Sequence, residues 1–484
     1  MNNESNKLGK MPILKLMAVM SIPAMFSMLV QALYNIVDSI FVGMVSSTDA
    51  EITALNFAFP LQMIFFAIAL GIGIGTNSLI SRKLGEGNKD EASKAAQTGL
   101  LLGLCAIVVA IICSFFLPKV FMLIYNESET IENMAIDYLS IAMGFSFGMF
   151  AETIFNKILQ STGNMKIPMF SQLIGAITNI ILDPIFIFKA GNIYTLPFFG
   201  EFEMPFGLGL GIKGAAIATV IGQITAGVFV VCFALLKKQA VSFNFKNFKI
   251  SFNMIKQIFS VGIAVTIVNS INSISTIILN LVFSLSPVTI NGLSTNVGAT
   301  ILGTYFKLQS FIFMPVFGMN QGVMPILGYN YGAKKASRFN KTFIYSLSFA
   351  LIIMTLGLIM FQSIPKLLLQ ILSITPEVAQ YGQIALRIVS LSFLAAAGNI
   401  IVSSLYQAIG HGAKSAALNL LRQAFILIPL ATLISFFTKN INLVWIAFPV
   451  AEWLCLGIFI PITIMTLKKV NNHMNNHVIT ENAR

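Results

Sequence analysis

FPLQMIFFAIALGIGIG at Phe59–Gly75 returns, altered but legible, as FKLQSFIFMPVFGMNQG at Phe306–Gly322. The displacement is 247 residues, and the same displacement carries LQSTGN at Leu159–Asn164 onto YQAIGH at Tyr406–His411. EGNKDEASKA at Glu86–Ala95 likewise resembles YGAKKASRFN at Tyr331–Asn340. One half of the chain is a duplicate of the other.

Both copies are built for lipid. Of 484 residues 56% are hydrophobic and only 10% charged, and the mean hydropathy is +0.83. No water-soluble domain carries such a surface, so this is a polytopic membrane protein. A window of about 19 residues finds about twelve spans, from Leu16–Met44 through an eighth at Asn296–Gly318 to a last at Leu443–Leu467. The polar start MNNESNKLGK leads into the first span without a small-residue cleavage site, so that span is expected to be retained.

The net charge of +12 marks topology, not a nucleic-acid partner. Lys7, Lys10 and Lys15 precede the first span, and Arg82, Lys83, Lys89 and Lys94 follow the second. Lys237, Lys238, Lys246, Lys249 and Lys256 surround the middle connection, and Lys334, Lys335, Arg338 and Lys341 follow the eighth. Alternate connections hold few bases and acids such as Glu127, Glu129, Glu201 and Glu203. The positive-inside rule therefore places both termini in the cytoplasm.

Six spans per copy is an even number, so the copies enter from the same side. The expected fold is all-α, with twelve transmembrane helices in two parallel six-helix bundles related by a pseudo-two-fold axis along the membrane normal. The expected divisions are a bundle over 1–236, a linker over 237–254 containing VSFNFKNFKISF, a second bundle over 255–467 and a polar tail over 468–484. Two such bundles suit alternating access about a midplane site.

Several features read blandly. Cys105, Cys113, Cys232 and Cys455 lie in apolar stretches without metal spacing and are expected to be buried free thiols. HMNNH at His473–His477 has helical metal spacing but sits in the polar tail, where solvation is expected. GIGIG at Gly71–Gly75 lacks the strand and helix that a nucleotide fingerprint needs. It and GAAIATVIG at Gly214–Gly222 instead permit close helix contact. With no nucleotide motif, cofactor ligand set or catalytic cluster, the drive must be an ion gradient or the membrane potential. No cofactor is expected beyond the coupling ion.

Ionisable residues inside spans are few: Asp38, Glu152, Asp183 and Glu452, with Lys157, Lys307, Arg387 and Arg422. Each costs about 2.5–3.5 kcal/mol at a helix centre, so each should pair, line water or work. Asn179 and Asp183 are four apart and share a helix face. Pro184 follows and removes a backbone donor, while Pro23 in SIPAMF invites a bend in the first span. Asp38, Asp183, the Asn179 amide and the Thr219 hydroxyl offer hard oxygen ligands to Na⁺, or a network able to hold a proton. Adjacent carboxylates in a low dielectric resist double ionisation, a need that H⁺ or Na⁺ satisfies equally. The competing reading is that Asp38 and Asp183 pair with a base such as Lys157 and merely stabilise the bundle.

VDSIFVG at Val37–Gly43, SRKLGEGN at Ser81–Asn88, LQSTGN and NIILDP at Asn179–Pro184 together resemble the multidrug and toxic compound extrusion (MATE) family, in its DinF-related and MepA-like bacterial branch. The resemblance runs from Lys15 to Leu467. It implies two six-helix bundles forming a V-shaped central cleft, and exchange of organic cations or drugs for H⁺ or Na⁺. It implies that Asp38, Asn179, Asp183 and Thr219 form the cation-coupling site. It also implies that Glu152, with Asn156 and Gln160, faces the substrate cavity, where pairing of Glu152 with a neighbouring base is the alternative. The sequence departs from the sodium-coupled NorM-like branch, having Asn272 and Gly398–Asn399 where that branch carries acids. Glu452 either contacts substrate or pairs with Arg422. A monomer would suffice. A lipid-linked oligosaccharide or peptidoglycan-precursor flippase is the alternative function, but it calls for a strongly cationic cavity that Lys157, Lys307, Arg387 and Arg422 are too scattered to supply.

Overall fold

A computed structural model of the chain describes residues 3–45, 50–123, 128–196, 200–284, 288–290, 293–295, 297–371 and 376–482. In chain order the elements are α1 (Asn3–Lys10), α2 (Ile13–Val45), α3 (Ala50–Gly85), α4 (Lys89–Ser114), α5 (Leu117–Met122), α6 (Glu129–Gly144), α7 (Phe147–Ser161) and α8 (Lys166–Ile187). A hairpin of β1 (Ile193–Leu196) and β2 (Gly200–Glu203) leads to α9 (Ile212–Leu236) and α10 (Phe252–Ser284). A second hairpin, β3 (Val288–Ile290) and β4 (Leu293–Thr295), precedes α11 (Val297–Gly332), α12 (Ala336–Ser363), α13 (Pro365–Ile371), α14 (Pro376–Ser390) and α15 (Phe393–Ala408). The chain closes with α16 (Gly412–Leu420), a π-helical stretch Leu421–Leu427, α17 (Ile428–Thr438), α18 (Ile441–Val444) and α19 (Ala447–Asn482).

Among the described residues ten helices are long and apolar enough to cross a membrane, and twelve spans result when α6–α7 and α14–α15 each count as one bent span. The bends are 48° and 49°. Large apolar side chains face outward, Phe115, Phe437 and Leu356 among them, while Thr76, Asn77, Ser171, Asn330 and Ser415 are buried. That is the distribution expected when lipid rather than water is the solvent.

The sequence repeat is a structural repeat. Asn164 N–H donates to Leu159 O at the end of α7, and 247 residues later His411 N–H donates to Tyr406 O at the end of α15. Both are the long closing bond of a helix C-terminus, and each needs a left-handed residue inside it. Gly163 (φ +93°) and Gly410 (φ +82°) supply it. At another equivalent pair Gly87 has φ +79°, but the second copy places Lys334 there at φ +54°.

The opening motif has a physical purpose in the packing. The chain condenses into two compact units, one built around Phe26–Ile80 and Asn88–Thr266, the other around Asn6–Met25, Ser81–Gly87 and the chain from Ile267 onward. In the first unit a Cβ on Gly71 would fall 2.5 Å from Gly262 O, and one on Gly75 would fall 2.3 Å from Ile258 O, so the start of α10 lies directly on α3. In the second unit a Cβ on Gly318 would fall 2.7 Å from Ala24 O, and one on Gly322 would fall 2.8 Å from the Ser21 nitrogen, so the start of α2 lies on α11. Gly71 and Gly75 become Gly318 and Gly322 at the repeat displacement. Each copy of the motif is thus a glycine seat for a crossing helix. Thr266 Oγ1 fastens the first seat to Ala67 O at 3.1 Å, and Ser21 Oγ fastens the second to Met319 O at 3.2 Å.

Two expectations change, and the tail gains structure. The eighth span does not stop near Gly318, because α11 runs to Gly332 through Pro315 and Pro325. The polar tail is helical. α19 continues to Asn482, with Val470 and Met474 buried and Asn340 Nδ2 donating to Asn471 Oδ1 at 3.1 Å. His473 is exposed, and the His477 side chain lies outside the described residues. Cys455 alone of the four thiols is buried. Cys105 and Cys232 are exposed and Cys113 is intermediate, all free. A thiol is apolar enough to lie on a lipid-facing helix surface.

Candidate functional site

α8 and α9 form the frame. A Cβ on Gly222 would meet Gly175 O at 2.8 Å, and one on Gly214 would meet Phe186 O at 2.5 Å, so the two helices touch backbone to backbone. The loop entering α9 then caps α8, with the N–H groups of Leu208, Gly209, Leu210 and Gly211 donating to Ile185, Phe188, Phe186 and Ile187. This close packing brings Thr219 on α9 against Asn179 on α8. Asn179 Nδ2 donates to Asp183 Oδ1 at 3.1 Å and to Thr219 Oγ1 at 3.4 Å.

α2 delivers the remaining carboxylate. Val42 shares an apolar cluster with Ile187 and Phe188, flanked by Phe41, whose ring stands edge-on to Phe188 at 5.8 Å. Asp38 is one turn before Val42, and Asp183 one turn before Ile187. The contact therefore sets the two acids at one level, and their like charges interact. Tyr34, one turn before Asp38, adjoins Thr219 and both acids. The sequence reading passed over Tyr34, though its i−4 relation to Asp38 was available. On the far side Tyr138 donates to Gln62 Oε1 at 3.3 Å.

The cluster is short of partners. Asp38 Oδ1, Asn179 Oδ1 and Asp183 Oδ2 are buried acceptors without a hydrogen-bond donor among the described residues. Neither Asp38 nor Asp183 has a lysine or arginine within ion-pair distance there, and Lys157 donates to Gln160 Oε1 at 3.0 Å. Lys157 thus extends along its own helix toward the residue one turn on. The two carboxylates, the amide oxygen and the hydroxyl thus have no basic side chain in ion-pair range among the described residues, and their chemistry is a donor set that fits Na⁺ or a shared proton.

The sequence profile of the MatE family matches residues 23–185 and 267–433, one block in each repeat. The chain belongs to the MatE family. Multidrug export protein MepA of Staphylococcus haemolyticus (strain JCSC1435) is 25% identical over 457 residues, covering 93% of each chain. Its namesake in Staphylococcus aureus (strain MSSA476) is 24% identical over 450 residues, covering 92% of each. A solved outward-facing multidrug resistance MATE transporter of the MOP superfamily superposes with a TM-score of 0.87 at 23% identity, over 97% of this chain and 99% of that one. A MOP superfamily transporter from Pyrococcus furiosus gives 0.85 at 22% identity, over 96% and 98%. The fold is that of the MATE transporters.

In this MatE chain Glu152, Asn156 and Gln160 line one face of α7, each one turn from the next. Glu152 Oε1 accepts from Asn156 Nδ2 at 3.4 Å and from Ser171 at 3.2 Å. Asn156 and Gln160 are buried, and Asn156 Oδ1 has no donor among the described residues. Pro23 lies inside α2, two residues before the Met25–Phe26 division between the compact units, and Pro184 lies inside α8. In the second repeat Arg422 Nη1 donates to Glu452 Oε1 at 3.0 Å, and Asn399 Nδ2 donates to Glu452 Oε2 at 2.7 Å. Of the two readings of Glu452, the structure shows the pairing. Asn272 accepts from Gln423.

Proposed function

We propose that this MatE protein is a cation-coupled antiporter that exports amphipathic organic cations by alternating access, with Asp38, Asn179, Asp183 and Thr219 taking up H⁺ or Na⁺. One observation carries the reading: Asp38, Asp183 and Asn179 each leave one buried oxygen without a donor, and neither acid has a basic partner among the described residues. Such a group is costly as it stands, and binding a cation relieves the cost. The relatives named multidrug export proteins support the substrate class. The ion drives transport only as far as it prefers one conformational state over the other.

Glu152, Asn156 and Gln160 are proposed to meet the cationic substrate, with the carboxylate supplying the charge and the amides adaptable polar contacts. The 42 phenylalanines and 23 methionines supply apolar surface able to take flat aromatic cations of varied shape. Pro23 and Pro184, each lacking a helical N–H, are proposed as the positions where α2 and α8 give. The protein would work as a monomer in a bacterial inner membrane with both termini cytoplasmic. A flippase is less favoured, since one of its four candidate bases, Arg422, is engaged by Glu452 at 3.0 Å.

The test is ethidium efflux from proteoliposomes under an imposed proton gradient, a sodium gradient or neither, for the parent and Asp38→Asn. Gradient-driven efflux that vanishes in Asp38→Asn is expected, and the effective gradient names the ion. Undiminished efflux in Asp38→Asn would sink the assignment of the site. No efflux from the parent under any gradient would turn attention to lipid-linked substrates.

A further inference from the structure

The segment joining α9 to α10 is strapped down along one side and bare along the other. Ser242 N–H donates to Ser93 Oγ at 2.9 Å, and Gln97 Nε2, on α4, donates to Asn244 O at 2.7 Å. Val241 is buried, and the Phe243 ring lies 5.6 Å from Phe155. These contacts fix the backbone while turning other large side chains away from the protein. Phe245 is 48% exposed, Ile250 57% and Phe252 84%, and Leu236 at the end of α9 is 82% exposed. Lysines alternate with them. Lys237, Lys238, Lys246, Lys249 and Lys256 are all exposed, and no acidic residue occurs from Lys237 to Lys256. Between the strap and α4 lies a cleft of about 300 Å³ lined by Glu91, Lys94, Lys249, Ile250, Ser251 and Met254. Glu91 is already engaged by Lys94 at 3.3 Å, which leaves the Lys249 ammonium as the cleft's uncompensated charge.

A strap washed by water gains nothing from presenting bare phenylalanines, and one sunk in hydrocarbon could not keep five lysines. Apolar side chains with lysines between them, held at the point where two spans leave the membrane, suit the zone where acyl chains meet headgroups. The sign of the charge selects the lipid, since lysines near the surface attract anionic headgroups. We propose that the 237–256 segment is an in-plane membrane anchor that binds anionic phospholipid, with Phe245, Ile250 and Phe252 entering the acyl boundary. A lipid phosphate sits against Lys249 and the Ser251 hydroxyl, and Lys237, Lys238 and Lys246 hold neighbouring headgroups. This assignment does not depend on what the protein transports.

The experiment is native mass spectrometry of the purified full chain in detergent, titrated with phosphatidylglycerol or phosphatidylcholine. The parent is expected to retain phosphatidylglycerol preferentially. The variant Lys237→Gln/Lys238→Gln/Lys246→Gln/Lys249→Gln should lose that preference, by roughly fivefold for each lysine removed. Unchanged retention in this variant overturns the proposal, as does an equal loss in a control carrying Lys366→Gln and Lys439→Gln. A second reading leaves the charges intact. Phe252→Trp, compared with the parent and its Trp445 and Trp453, should add fluorescence that brominated phosphatidylglycerol quenches in proteoliposomes. Emission from the added tryptophan that only an aqueous quencher reaches would place the strap in water and end the idea.

Discussion

α7 and α15 occupy equivalent places in the two repeats, yet their polar faces have been put to different ends. Glu152, Asn156 and Gln160 become Asn399, Ser403 and Gln407 at the displacement of 247. On α15 the row belongs to a network built around an ion pair. Asn399 holds Glu452 at 2.7 Å, Ser403 and Ser415 share a bond of 2.7 Å, and Gln407 donates to Ser415 at 3.0 Å. Arg422 then balances the one acid at 3.0 Å. In the first repeat Asp38 and Asp183 have no such base among the described residues. Duplication produced two scaffolds of one shape, and divergence left the unbalanced Asp38 and Asp183 in the first. A balanced ion pair gains little from binding a cation, whereas an unbalanced pair of acids has everything to gain.

The largest expected effect breaks this contrast at its charged end. Asp183→Asn should reduce gradient-driven efflux to the level of empty proteoliposomes while the protein still purifies as a folded species, since an amide preserves the shape and much of the hydrogen bonding. Retained coupled efflux would mean that the orphaned oxygens are only a packing defect. In the second repeat the expectation reverses. Glu452→Gln leaves the Arg422 guanidinium half-buried without its counter-ion, costing about 3–5 kcal/mol, seen as a lower unfolding temperature in detergent. Coupling to the gradient, measured as the ratio of driven to undriven efflux, should survive. Lost coupling with unchanged stability would move an ion site into this repeat.

The glycine seats sharpen the comparison where the repeats agree. Gly75→Ala and Gly322→Ala each push a methyl into crossing backbone, at 2.3 Å and 2.8 Å respectively. Each should lower stability by about 1–3 kcal/mol. Comparable losses in thermal unfolding would support one shared architecture, and no loss in either would deny that the seats are tight. The smallest effect belongs to Tyr34→Phe, which removes one polar hydroxyl, a change on the order of 0.5–1.5 kcal/mol. Because that hydroxyl adjoins Thr219 and the acids, the change should appear as weaker dependence of efflux on the driving ion, with maximal efflux nearly intact.

Much of this was legible before any coordinates. Helical periodicity and the cost of bare backbone in lipid make spans readable from hydropathy alone, so the twelve spans, the duplication and the shared face of Asn179 and Asp183 came from local pattern. Glycine spacing announced close helix contact at Gly71–Gly75 and Gly214–Gly222, but not which helix would arrive. The start of α10 sits on one motif and the start of α2 on the other, and no neighbouring residue encodes that choice. The continuation of α19 past Leu467 was hidden because its polar sequence reads as a tail unless its docking partner, Asn340, is known.

Local pattern along the chain was enough for a duplicated all-α membrane protein and the short roster of charged residues its spans would tolerate. Which of those charges cancel is settled by packing between helices. Asp38 and Asp183 are 145 residues apart in the chain, and they meet because Val42 packs into the cluster of Ile187 and Phe188. Arg422 reaches Glu452 while Lys157 turns to Gln160. Composition counts charges, but their balance depends on distance in a low dielectric, and distance between helices is set by packing.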